Sequence, residues 1–120
     1  MPVFRLETNI PKDKIPANFG KETGALVAKT LGKPESYVAV IVGPDTNLTF
    51  GGSDGPAGIA SLMSIGKLGT AENKKHSAVL FAHVEKSLGI PKDRLYISYI
   101  DSPTDVVGYN GTTFHDIFGG

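Results

Sequence analysis

Cysteine and tryptophan are both missing from this chain of 120 residues, and neither sign of charge dominates, since 12 Lys plus Arg stand against 12 Asp plus Glu. Without cysteine there is no disulfide, no thiolate nucleophile, no Cys-ligated zinc and no CxxC redox pair. The redox compartment stays open, because a Cys-free chain suits either one. A formal charge of zero argues against a dedicated nucleic-acid binder, which carries a basic excess or stripe. Long apolar runs are missing too. The longest aliphatic stretch, Val38-Ala39-Val40-Ile41-Val42, falls well short of the roughly 20 residues that cross a bilayer. The first residues, MPVFRLETNIPKDK, lack the basic start and apolar stretch of a signal peptide and are interrupted by Arg5 and Glu7. The expectation is synthesis in the cytosol, with the sequons at Asn47 and Asn110 read as coincidental.

What is present is enough apolar material for a core: hydrophobic residues make up 40% and charged residues 20%. The length suits a single domain spanning 1–120. ALVAKTLGKPESYVAV, from Ala25, aligns with AHVEKSLGIPKDRLYI, from Ala82, at an offset of 57. Each half reads as a helix, a Gly stop, a Pro and a strand; Gly32 and Gly89 suit the left-handed position past a helix end, and Pro34 and Pro91 prevent continuation. His76, Val79, Leu80, His83, Val84, Ser87 and Leu88 form one stripe of a second helix, with Thr70 as its N-cap and Glu72 in its first turn. Phe19, Leu26, Val27 and Leu31 form the stripe of the first. Strands are expected at Val3–Thr8, Tyr37–Val42, Ile59–Ser64 and Leu95–Ile100, with shorter ones at 106–109 and 112–114 flanking the Asn110-Gly111 turn. The order is β-α-β, β-α-β: an α+β fold with two helices on a four-stranded mixed sheet.

Two helices cover one face of such a sheet. Residues 37–42 and 95–100 are nevertheless largely apolar on both faces, so the second face needs another chain against it. A homo-oligomer follows, in which a site near the sheet draws residues from two subunits.

The chemistry-bearing candidates begin with Pro2. Loss of Met1 would leave Pro2 a free secondary amine, and Pro2, Phe4 and Leu6 share one strand face, so that amine would sit at an apolar wall. Burial and a nearby cation both lower an amine's pKa, and a neutral amine near pH 7 serves as a general base. Lys33 sits between Gly32 and Pro34 on a fixed backbone, where the second half has Ile90. Ser64-Ile65-Gly66-Lys67 offers a tight turn whose N–H groups suit an anion, without Walker spacing. Gly51 to Gly58 reads as a flexible connector. Tyr96 and Ser98, two apart on a strand, present hydroxyls to one face. His76 and His83 are seven apart and read as packed rather than metal-ligating. With His115 in the tail, no metal is expected.

These residues fall within MPVF, TNIP (Thr8–Pro11), GKP (Gly32–Pro34), VGPD (Val42–Asp45), FGGS (Phe50–Ser53), SIGKLG (Ser64–Gly69), RLYISY (Arg94–Tyr99) and VGYNGTTF (Val107–Phe114). In this order and spacing the chain resembles the macrophage migration inhibitory factors of the tautomerase superfamily, from Met1 to about Phe114. The resemblance implies a homotrimer of pseudo-symmetric β-α-β-β-α-β subunits with sites at their interfaces, no cofactor, and keto–enol tautomerase activity on phenylpyruvate-like and dopachrome-like substrates. It makes Pro2 the base. Lys33 and the Ile65 backbone N–H would hold a carboxylate or enolate oxygen, Tyr96 of a neighbouring subunit would donate a hydrogen bond, and Tyr37, Met63, Val107, Tyr109 and Phe114 would form an apolar wall around an aromatic keto acid.

The resemblance also implies cytokine-like signalling, secretion without a signal peptide, and binding to invariant-chain and chemokine receptors, with Lys12 and Asp45 at the positions of an Arg/Asp pair. Lys for Arg keeps the charge and loses bidentate geometry. Ser98 replaces an Asn of vertebrate members, Tyr109 a frequent Trp, and Met63 a His; these departures bear on substrate preference. The family's CxxC maps to Ala57 and Ala60, which excludes thiol redox chemistry here. Residues 115–120 extend past the usual end, with no assigned role.

Overall fold

The computed structural model describes residues 1–119. Its four main strands are β1 (Val3–Thr8), β2 (Ala39–Gly43), β3 (Gly58–Ser64) and β4 (Leu95–Asp101), in the sheet order β2-β1-β3-β4. β1 pairs with β2 in parallel and β3 with β4 in parallel, while β1 and β3 meet antiparallel in the middle. Each parallel pair is bridged by a helix, α1 (Phe19–Leu31) or α2 (Thr70–Leu88). The two β-α-β halves are thus joined by the central antiparallel seam.

The duplicated sequence maps onto duplicated packing. α1 buries Phe19, Thr23, Val27 and Leu31, and α2 buries His76, Leu80, Val84 and Leu88. Both sets are i, i+4 rows, the ridge a helix presents to its neighbour. Against these rows lie Phe4, Leu6, Ala60, Leu62, Ile90 and Leu95 in one continuous core. Each fully buried aliphatic or aromatic side chain contributes about 1.5–3 kcal/mol relative to exposure. A Cβ at Gly58 would lie 2.9 Å from Leu6 Cδ1 and 3.1 Å from Leu95 Cδ1, so a larger residue there requires both leucine ends to move.

Several expectations need correction. Val79, placed on the α2 stripe, is 38% exposed. Thr70 is the first residue of α2 and not its cap. Gly69 occupies the cap, and Asn73 Oδ1 accepts the Gly69 N–H at 3.2 Å. Tyr37 lies outside the second strand, at the end of a 3-10 turn (Glu35–Tyr37) that follows Pro34. The same device recurs after Pro11, Pro91 and Pro103: a proline with φ near its ring-fixed value launches one tight turn and then extended chain. Residues 106–109 and 112–114 shrink to a short hairpin, β5 (Gly108–Tyr109) and β6 (Thr112–Thr113). Asn110 and Gly111 at its tip have φ of 53° and 85°, as a type I′ turn requires. A short helix opens the tail: α3 (Phe114–Ile117) starts with Thr113 Oγ1 accepting the Asp116 N–H at 3.2 Å. Gly120 lies outside the described residues.

The supposed flexible connector at 51–58 is also pinned. Phe50 and Ser53 bridge across a turn made by Gly51 and Gly52. The Arg94 guanidinium donates to the carbonyls of Pro56 (2.8 Å), Phe50 (3.2 Å), Ser53 (3.2 Å) and Gly55 (3.0 Å). Asn9 fastens the same loop, donating to Gly55 O at 2.8 Å and accepting from Ala57 N at 2.9 Å.

The helices cover one sheet face. On the other, cross-strand register builds three rows: Ala39, Val3, Met63 and Ile100; Ile41, Arg5, Ser61 and Ser98; Gly43, Glu7, Ile59 and Tyr96. Ile41, Ile59, Tyr96 and Ile100 are between 42% and 64% exposed there, which is the uncovered apolar face the sequence anticipates.

Candidate active site

Pro2 begins the site, just before β1. Its ring is buried on the helix side with Phe4 and Leu6, and its carbonyl accepts the Ala39 N–H at 3.0 Å. Lys33, at the end of α1, reaches across the same end of the sheet and donates from Nζ to Ile65 O at 2.7 Å. The amine of Met1 is pushed below the ordinary α-amino range, first by burial and then by the Lys33 ammonium nearby. Pro2 N lies one residue further in, within the same low-dielectric corner. Met63 pairs with Val3 across β1 and β3, which puts it at the same end of the sheet but on the open face, not on the helix side with the Pro2 ring.

Next to it stands an aromatic cluster. Tyr37 makes edge contacts with Tyr109 (5.5 Å between centroids) and Phe114 (5.8 Å), and Tyr109 stacks on Phe114 at 5.3 Å. Edge-to-face and offset pairs of this kind each contribute about 0.5–1.5 kcal/mol beyond burial. Val107 holds the hairpin to α3 by accepting the Phe114 N–H at 3.0 Å. Phe118, just past α3, extends the cluster, 5.6 Å from Phe114.

Tyr96 and Ser98 do not converge on Pro2 within one chain. Tyr96 pairs with Ile59, which pairs with Glu7, four residues along β1 from Val3. At about 3.3 Å per residue that is roughly 13 Å of strand. Tyr96 is 64% exposed on the open face, its ring 4.8 Å from Phe50.

The Gly66 N–H is not available to an anion as the turn suggested, because it donates to Asp101 Oδ1 at 3.0 Å. His76 is buried, its Nε2 within 2.9 Å of Lys67 O. His83 stacks on Phe19 and contacts Thr23 Oγ1 at 2.9 Å. No cluster of three or more His, Cys, Asp or Glu suited to a metal occurs among the described residues. Lys12 and Asp45 are neighbours: the Lys12 backbone N–H donates to Asp45 Oδ2 at 3.2 Å, and Asp45 holds a left-handed φ of 55°. No described helix is long and apolar enough to cross a membrane. Sequence reasoning assigned no role to Arg94, Phe50 or Asn9. Their only signal was membership of the RLYISY, FGGS and TNIP motifs.

The chain thus consists of two β-α-β units back to back, with a proline at the start of the first strand and a lysine just past the first helix. The sequence profile described as macrophage migration inhibitory factor (MIF) matches residues 1–115. A macrophage migration inhibitory factor homolog of Trichinella spiralis is 51% identical over 114 residues, covering 95% of this chain and all of that protein. One from Trichuris trichiura is 49% identical over the same shares. The solved structure of the Trichinella spiralis factor superposes with a TM-score of 0.91, covering 92% of this chain and 98% of that one. The chain belongs to the macrophage migration inhibitory factor family. Membership supports a tautomerase- or cytokine-type function, isomerase chemistry in general, and oligomeric assembly.

Proposed function

We propose that the chain, as one domain of residues 1–120, is a keto–enol tautomerase acting on phenylpyruvate-like and dopachrome-like compounds, with Pro2 as general base once Met1 is removed. The observation that carries the reading is the fully buried Pro2 ring at the end of the sheet where Lys33 reaches Ile65 O, a corner in which burial and Lys33 lower the amine of the preceding Met1. In the ketonising direction a proton leaves the enol oxygen and one is delivered to the adjacent carbon. In the reverse direction Pro2 N takes the proton from that carbon, the C–H pair becomes the C=C bond, and the carbonyl π pair moves to oxygen. Lys33 and the Ile65 N–H stabilise that oxygen or the carboxylate, an electrostatic contribution of the kind that dominates such steps. Tyr37, Met63, Val107, Tyr109 and Phe114 hold the ring and exclude water. Tyr96, and Ser98 beside it, reach the site from a neighbouring subunit of a homotrimer. What supports the trimer is the open apolar face and the roughly 13 Å of strand separating Tyr96 from the Pro2 corner of its own chain.

A Pro2→Gly variant tests the base, with mass spectrometry showing Met1 absent from both proteins. The expected result is a large loss of kcat for enolisation of an aryl pyruvate, with the fold unchanged. The kcat/KM profile of the parent rises through a pKa below the ordinary α-amino value, because the base must be neutral and its charged form is disfavoured. Undiminished turnover in the variant removes Pro2 from the mechanism.

A second reading, a receptor-binding cytokine homologue with a vestigial pocket, is favoured by the adjacency of Lys12 and Asp45. In it the protein is made in the cytoplasm, leaves without a signal peptide, and engages invariant-chain and chemokine receptors. Titration of purified protein onto receptor ectodomain tests it, and absence of saturable binding removes it.

A further inference from the structure

A groove of about 680 Å³ lies between α1 and α2 on the side of the molecule away from the open sheet face. Its volume falls in the roughly 300–1,000 Å³ range of small-molecule sites. The wall is apolar, from Leu26, Leu31 and Val79, and the rim is basic, from Lys29, Lys67 and Lys75. Glu72 is the one carboxylate on that rim, and Thr30 adds a hydroxyl, so cations outnumber anions three to one.

One backbone detail marks the groove as more than a cleft. His76, which lines it, is only 6% exposed and fastens the adjoining loop, its Nε2–H donating to Lys67 O at 2.9 Å. Lys67 itself is held at φ 64°, a conformation that side chains other than Gly, Asn and Asp rarely adopt. Strained backbone of this kind concentrates at ligand sites.

We infer that the groove between α1 and α2 binds a small single-chain amphiphile with an anionic head, an aliphatic carboxylate, the chain lying on Leu26, Leu31 and Val79 and the head among Lys29, Lys67 and Lys75. Lys67 is two residues from Ile65, whose carbonyl holds Lys33. The bound head therefore sits against the same short loop that borders the Pro2 corner, on its opposite side. The site does not depend on tautomerase activity.

The test is titration of the isotope-labelled full chain with dodecanoate below its micellar concentration, followed by amide NMR. Dodecanol and acetate supply the chain and the head separately. Saturable shifts centred on Leu26, Lys67, His76 and Val79 are expected for dodecanoate, with much weaker binding of either control. In a Lys29→Gln/Lys75→Gln variant, both positions being exposed, affinity falls about three- to tenfold. Equal binding of dodecanol, shifts centred on the open sheet face or the Pro2 corner, unchanged affinity in the double variant, or no saturable binding each overturn the proposal.

Discussion

Replacing Arg94 with lysine keeps a positive charge at the start of β4 and removes the planar fork. The guanidinium holds four carbonyls of the 50–56 loop and lies 5.7 Å from the Phe50 ring centroid. An ammonium on a flexible stem cannot address those carbonyls together. The bonds to Phe50 O and Gly55 O are part-buried, and those to Ser53 O and Pro56 O are exposed. Charged hydrogen bonds contribute about 1.5–3 kcal/mol when sheltered, and exposed ones about 0–1 kcal/mol. With lysine recovering part of this, the expected loss is about 2–3 kcal/mol, confined to the loop. Hydrogen exchange at the Phe50 and Ser53 amides, which bond each other's carbonyls, should accelerate about 30- to 150-fold. Amides within β3 should keep their protection. Since Phe50 backs Tyr96, KM in a tautomerase assay should rise more than kcat falls. Exchange at the two loop amides within about threefold of the parent would refute the reasoning.

Thr8→Val removes a hydroxyl that is fully buried, donating to Ala57 O at 2.7 Å and accepting from Ile10 N at 3.2 Å. Stranding both groups costs about 2–4 kcal/mol, read as a lower denaturant midpoint at fixed protein concentration; a change under about 0.5 kcal/mol contradicts it. The His83 ring has its pKa lowered by burial, partly opposed by Glu22. The unfolded chain therefore takes the proton first as pH falls through about 6.5, so stability declines below that pH and levels off once the folded ring also protonates. His83→Gln should flatten this slope, and an unchanged slope assigns it to other groups.

Much of the architecture was legible because the repeat writes it twice. Gly32 and Gly89, both left-handed at the ends of their helices, and the proline after each are short-range signals that need no tertiary knowledge. The apolar residues on both faces of β2 and β4 likewise announced an uncovered sheet. What escaped were features that exist only after folding. Tyr37 reads as strand because it is aromatic and precedes valines, yet the turn set by Pro34 claims it. The loop at 51–58 is glycine-rich and looks loose; its order comes from Arg94, some 40 positions away in the chain. The capped turn at 113–117 did carry a readable Thr-x-x-Asp signature, which the extension past the usual family length obscured. Tyr96 could be placed on a strand, but no single chain can bring it to Pro2.

The duplicated corner that closes each helix has been put to opposite uses. In the first half it ends in Lys33, half-exposed and free to hold a carbonyl; in the second the equivalent Ile90 is 1% exposed and plugged into the interior. One architectural joint therefore acts as a doorway at one pole and as a stopper at the other. The asymmetry rests on one side chain, so carving a second reactive pocket into the sealed pole would require removing an apolar plug before any new chemistry could be installed.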